Sequence, residues 1–186
     1  MDSIQRPGGR SARVRRSVLD AALAVLGEDG WTSTSVERIA ERADVHKTTI
    51  YRRWGSAEEV VLDALLERGS LGIPVPDTGS LEADLVEFGL AISAVISDPV
   101  GRAAAAAAIA EPESAPVRQF VDSFWSERLA SVAPVVQRAV DRGELPPSTD
   151  TDRIIEQVAA SVWFRVMVRR GPVTEAWLAD AVSMIT

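Results

Sequence analysis

His46, Lys47 and Tyr51 are the only histidine, lysine and tyrosine of the chain, and they fall within six positions. Thr48, Thr49, Ile50, Arg52, Arg53 and Trp54 complete the window. Cationic, hydroxyl and aromatic groups gathered on one short segment can neutralise phosphates and still offer donors to base edges in a major groove. A face that merely met water would mix glutamate with its lysines. The window therefore reads as the working surface of a DNA-binding protein. Arg52 and Arg53 are permanently charged, so one can fork onto guanine O6 and N7 while the other holds a phosphate. Lys47 stands where a reading helix meets base edges or the near backbone. Thr48 can touch a thymine methyl group or donate to a base, and the hydroxyls of Thr49 and Tyr51 suit phosphate oxygens. Ser35, capping the preceding helix, can bring backbone N–H groups to a phosphate. Two plainer readings compete: Thr49 as a helix cap and Tyr51 as a half-buried core aromatic. His46 reads as a surface residue at a helix start rather than as a pH switch.

Such side chains need a scaffold, and hydrophobic spacing supplies one. Val14, Val18, Leu19, Ala22, Leu23 and Leu26 recur at helical spacing behind Ser11 and predict a helix over about 12–28, ended by Gly27 and Gly30. Thr34 or Ser35 can cap a second helix over about 36–43, and Thr34 with Glu37 has the capping-box form. Ala43-Asp44-Val45 is long enough only for a tight reversal. A third helix over about 46–53 turns Ile50 and Trp54 inward, four residues apart, and leaves the polar window outside. Two short helices joined by a tight turn make a helix-turn-helix.

Beyond it, a fourth helix runs from the cap Ser56 to about Arg68, and the stretch from Gly69 to Gly79 breaks the pattern. Helices follow over about 80–97, 100–111, 116–142, 150–170 and 174–185, with Pro134 expected to kink or split the third of these. The run Ala103–Ala108 is a strong helix former with little side chain. No segment keeps strand alternation. The expected fold is all-α, with about nine helices. It divides into a disordered arm (1–10), a three-helix DNA-binding domain (11–55) and a larger helical body (56–186).

The net charge of −7 fits this division. Residues 1–56 hold ten Lys/Arg against seven Asp/Glu, a balance of +3, whereas residues 57–186 hold ten against twenty, a balance of −10. A basic head on an acidic body would be oriented on a duplex by repulsion of the body. The absence of cysteine excludes disulfides and thiolate metal sites, and a single histidine argues against zinc. No pair of carboxylates lies in an apolar setting, so neither an enzyme nor a bound cofactor or metal is expected. There is no run of about 18 apolar residues and no signal-peptide pattern, so a cytoplasmic protein without a membrane partner is expected.

In the body, Phe88, Phe120, Phe124, Trp125, Trp163 and Met167 suit a cavity among helices, although a bundle core needs such residues anyway. Arg165 interrupts the apolar run from Val162 to Val168. It reads as an anion-binding pocket residue or, preferably, as half of a buried salt bridge. The last two helices carry Ile155, Val158, Ala159, Val162 and Val166, then Trp177 and Leu178. That is more apolar surface than a terminal hairpin needs for one core.

The stretch from Ser35 to Trp54 with Glu58-Glu59-Val60-Val61 resembles the N-terminal domain of TetR-family transcription regulators. Ile39-Ala40, Val45, Thr49, Tyr51 and the aromatic Trp54 stand where that family's pattern has them. The resemblance covers about residues 12–62. The segments Asp141–Pro146 and Val162–Val168 are also similar to one subgroup of the family's C-terminal domains. Two departures stand out: Asp44 where the family usually has glycine in the turn, and Ala57 where it often has a phosphate-touching lysine. The resemblance implies a small-molecule pocket in the body, with Phe88, Phe120, Phe124, Trp125, Trp163, Arg165 and Met167 as candidate lining. It also implies a four-helix dimer interface, for which Ile155, Val158, Ala159, Val162, Val166, Trp177 and Leu178 are candidates.

Together these readings describe a homodimeric regulator, a repressor, released from a palindromic double-stranded DNA operator by a small-molecule effector. The alternative keeps the DNA-binding head but has no sensing pocket, leaving control to a protein partner or to none. A body without an internal cavity would favour that alternative.

Overall fold

The computed structural model describes residues 9–69 and 75–185, which form nine α-helices and one π-helical turn, with no strand among them. Most of the expected N-terminal arm lies outside the described residues. Its last residue, Arg10, is already helical, because Gly9 rather than Ser11 precedes the first turn of α1 (Arg10–Asp29). That helix also runs through Gly27 and stops only at Gly30. Gly27 makes room instead of a stop: a Cβ there would lie 3.1 Å from a methyl group of Val100.

Helices α2 (Val36–Ala43), α3 (Lys47–Arg53) and α4 (Ala57–Gly69) close the first cluster over α1. Val18, Leu19, Ala22 and Leu26 meet Ile39, Ala40, Ile50, Trp54, Val60 and Val61 in one core. The Ser35 hydroxyl accepts from the Arg38 N–H at 3.3 Å and so begins α2. Thr34 is turned away from that task. Its hydroxyl donates to the Gly30 carbonyl, and the capping box expected with Glu37 does not form.

Asp44 ends α2 in the left-handed region, at φ 53° and ψ 50°, and the Val45 N–H returns to the Ala40 carbonyl at 3.0 Å. Aspartate is one of the few L-residues that tolerate this conformation, so the tight turn survives without glycine. Asp44→Gly is expected to hold or raise stability by up to about 1 kcal/mol, and Asp44→Val to lower it by about 1–2 kcal/mol. Thermal unfolding of the two variants checks the sign of each. A valine variant as stable as the parent would show that the turn has another solution.

The second cluster is organised around α5 (Leu81–Ser97), which packs against α6 (Pro99–Ala110), α7 (Ala115–Asp141), α8 (Thr151–Trp163) and α9 (Glu175–Ser183). Leu85 and Phe88 of α5 are fully buried, as are Val132, Val135 and Val136 of α7. Of the two outcomes expected at Pro134, the split does not occur: α7 is one helix from Ala115 to Asp141. Proline removes one helical hydrogen bond, but the buried valines on either side hold both halves to the same core. The last long helix does change character. After Trp163, α8 passes into a π-helical turn, Phe164–Val168.

A polar clamp invisible in the hydrophobic pattern fixes the start of α5 against the end of α7. Asp84 is fully buried and accepts from the Thr78 N–H (2.6 Å) and hydroxyl (2.7 Å). Arg138 reaches across from α7, with nitrogens 3.2 Å from Asp77 and 3.8 Å from Asp84, and donates to the Pro76 carbonyl. The Glu144 carboxylate accepts from the Leu81 N–H at 2.7 Å. A carboxylate so deep needs this many partners to remain there.

Candidate DNA-reading surface and internal cavity

Helix α3 is short, and its orientation comes from its two inward residues. Ile50 is fully buried, and Trp54 is 8% exposed at the C-terminal end. The Trp54 indole N–H donates to Asp63 of α4 at 2.8 Å. Arg15 of α1 donates to the same carboxylate at 2.8 Å and also to Glu67. The Glu67 hydrogen bond and the Asp63 charge together hold the Arg15 guanidinium above its ordinary pKa. One carboxylate on α4 thus ties the end of α3 to α1. This triad went unnoticed in the sequence because Arg15 sits among four other arginines and reads as part of a basic head.

With its inner face pinned, α3 turns Lys47, Thr48, Tyr51, Arg52 and Arg53 to the outside. Tyr51 is 48% exposed, so about half of its side chain is open to the outside of the helix. Thr49 is half-buried, and no side chain caps the start of the helix. The Arg53 guanidinium lies 5.1 Å from the Trp54 ring centroid, a cation–π contact that directs its reach. Lys47 comes within 3.7 Å of Glu37, both well exposed, a pair that water screens. Ser35 is half-buried and already engaged in its cap. Arg38 and Arg42 turn back to Asp29 (2.8 Å) and Glu28 (2.6 Å) and so belong to the scaffold.

A cavity of about 370 Å³ opens in the body, at the small end of the roughly 300–1,000 Å³ usual for ligand pockets. Leu65, Arg68 and Gly69 of α4 form one wall, and Phe88, Ile92, Val95 and Ile96 of α5 another. Phe120, Phe124, Trp125 and Arg128 of α7 and Trp163 of α8 face them. The space exists because α6 offers Gly101, Ala104, Ala105 and Ala108 along that side, where larger residues would fill it. The alanine run, a strong helix former with little side chain, thus leaves a void where it meets the aromatic walls.

Five of the candidate pocket residues, Phe88, Phe120, Phe124, Trp125 and Trp163, line this cavity, whereas Met167 and Arg165 do not. Both readings of Arg165 need correction. Its Nε–H donates to the Pro172 carbonyl at 3.0 Å and its guanidinium sits 4.9 Å from the Trp177 ring centroid. It pairs with no carboxylate among the described residues, and it closes the α8–α9 corner. Arg128, not Arg165, is the arginine that faces the cavity, together with Arg68.

Most of the candidate dimer residues are taken up by the chain's own core. Ile155, Val158, Ala159, Val162 and Leu178 are at most 4% exposed within the single chain, where they pack in the body's own core. Val166 and Trp177 are half-buried against the same core. The apolar residues left outside by these helices are Phe164 (57% exposed), Val168 (65%) and Met184 (82%).

A helix-turn-helix whose second helix presents cations and hydroxyls, mounted on an all-helical body, defines a DNA-binding transcriptional regulator rather than an enzyme. Residues 18–64 match the family described as bacterial regulatory proteins, tetR family, and residues 75–185 match the tetracyclin repressor-like C-terminal domain. The HTH-type transcriptional regulator AqdR of Rhodococcus erythropolis is 33% identical over 151 residues, covering 81% of this chain and 73% of the relative. The HTH-type transcriptional repressor KstR of Rhodococcus jostii is 27% identical over 176 residues, covering 92% and 73%. Among solved structures, the TetR family transcription regulator SCO0332 superposes with a TM-score of 0.72 at 27% identity, over 93% of this chain and 97% of that one. The chain belongs to the TetR family of transcriptional regulators. Among the described residues, no helix is long and apolar enough to cross a membrane.

Proposed function

We propose that this regulator is a homodimeric repressor that leaves a palindromic operator when a small molecule fills the cavity of its body. The observation that carries this reading is helix α4. Asp63 on α4 holds Trp54 at the end of the reading helix, and Leu65, Arg68 and Gly69 on the same helix form a wall of the cavity. A ligand that displaces this wall displaces α3 with it, and in a dimer changes the separation of the two reading helices. Full release requires the ligand to prefer the non-binding form by about 5.5 kcal/mol. The cavity supports this reading over the alternative of a regulator without a sensing pocket. KstR is named a repressor, which supports the sign of regulation. The exposed residues Phe164, Val168 and Met184 support pairing through the last two helices of each subunit.

Lys47, Thr48, Tyr51, Arg52 and Arg53 are the proposed contacts to base edges and phosphates, with Thr49 and the N-terminal end of α2 at Ser35 toward the backbone. Footprinting on DNA flanking the chain's own gene is expected to reveal one site with two half-sites. Arg52→Ala is expected to weaken that complex by about 1–3 kcal/mol, roughly 5- to 150-fold. Arg53→Ala is expected to lower the slope of log affinity against log salt by about 1 if Arg53 holds a phosphate. Binding that is insensitive to salt, or equal on unrelated DNA, would overturn the proposal.

A further inference from the structure

The head carries cations that its own scaffold does not use. Arg15 is paired with Asp63 and Glu67, Arg38 with Asp29, and Arg42 with Glu28. Arg13 and Arg16 of α1, like Arg52 and Arg53 of α3, are exposed and have no carboxylate partner among the described residues. Partners are not scarce, since the chain has 27 acidic residues against 20 basic ones. Arg13 and Arg16 line a shallow depression with Ser17, Asp20, Ala21 and Arg42. The Ser17 hydroxyl donates at 3.2 Å to the carbonyl of Ala43, the last residue of α2. The depression therefore borders the turn that leads into α3 at Lys47. Arg13 stands one helical turn, about 5 Å, before that contact. Asp20 is the only acidic residue of the lining, and it lies about 10 Å along α1 from Arg13. The first turn of α4 offers no comparable cation, for it begins Ala57-Glu58-Glu59.

Resting on the reading of α3 as the helix that meets DNA, we infer that Arg13 and Arg16 form a second grip on the duplex, holding phosphates of the strand that borders the groove. A helix beside the one in the groove faces this strand, which carries charge but no sequence information. An exposed guanidinium without an ion pair gives up no internal partner on meeting a phosphate, and its fork suits the phosphate oxygens.

The test uses the full chain with two duplexes of equal length: the one it enriches from a random pool, and an unrelated one. Arg13→Gln and Arg16→Gln are each expected to lower the slope of log affinity against log salt by about 1 for every bound head. At about 0.1 M salt this amounts to roughly fivefold to tenfold in affinity, by the same factor on both duplexes. Arg153→Gln, which removes an exposed charge from α8, is expected to leave both slopes unchanged. Circular dichroism of all three variants is expected to match the parent. Unchanged slopes in the two α1 variants, or an equal drop in Arg153→Gln, would overturn the inference. So would a loss confined to the enriched duplex, which marks a base contact or a displaced α3. Arg52→Ala separates the two readings. If it weakens the enriched complex while the α1 variants leave the slopes unchanged, α3 reads DNA without this grip. Should the pool yield no enriched duplex, the reading of α3 falls, and the slopes on the unrelated duplex still decide the inference.

Discussion

In the proposed homodimer, Phe164→Glu is expected to leave a folded monomer that no longer holds the proposed operator. Phe164 is 57% exposed at the start of the π-helical turn, and Val168 lies one helical turn further along the same side. Met184 adds a third exposed apolar side chain just after α9. An interface between two copies related by a two-fold axis uses such a patch twice, so one substitution is counted twice. A central aromatic contributes about 2 kcal/mol or more to an interface. Two copies therefore cost about 4 kcal/mol, on the order of a thousandfold in the dissociation constant of the dimer. The single chain is expected to keep its helical content and its unfolding midpoint, because the core residues of α8 and α9 face α5 and not the patch. Sedimentation equilibrium reads the association and circular dichroism reads the fold. An unchanged dimer would move the interface away from the last two helices.

The second large effect concerns the corner between α5 and α6. Replacing glycine by alanine inside a helix ordinarily adds about 0.5–1 kcal/mol of stability. For Gly101 the opposite is expected, a loss of about 3 kcal/mol or more. A Cβ at this position would lie 1.9 Å from the Val95 carbonyl oxygen and 2.9 Å from its carbon. Both are backbone atoms, so no rotamer change relieves the overlap, and the corner itself must open. The Gly101 N–H is also held by the Asp98 cap at 3.1 Å, and Asp98 is the partner of Arg68 on α4. Opening the corner therefore disturbs the cavity and its α4 wall together. Urea unfolding is expected to show a lower midpoint at an unchanged slope. A loss below about 1 kcal/mol would mean that the two helices have room to separate.

The DNA-reading end was legible in the sequence because its determinants are local. The spacing of Val36, Ile39, Ala40 and Ala43 gave the bounds of α2 as they are observed. Ile50 and Trp54, four residues apart, marked the inner face of α3. The body was less legible. Phe88 and Phe124 line the cavity, but their types are those of any core. Arg165 looked buried because its neighbours in sequence are apolar, yet it caps a corner, and Arg128 in an ordinary polar stretch faces the cavity. The apolar residues of α8 suggested a partner subunit, when α5, some 70 positions earlier in the chain, covers most of them.

Composition and periodicity by themselves determined an all-helical chain with a helix-turn-helix, a basic reading face and no means for cysteine chemistry. These follow from backbone hydrogen bonding and side-chain spacing within a few turns, which the order of residues dictates directly. Only the tertiary structure decided which apolar faces are spent on the chain's own core, which arginine meets the cavity, and that Asp63 joins Trp54 to Arg15. Those outcomes depend on which distant helices share a space and how much volume each side chain leaves there. The alanines of α6 show the difference: their sequence predicts the helix, and only its neighbours turn their small size into a cavity.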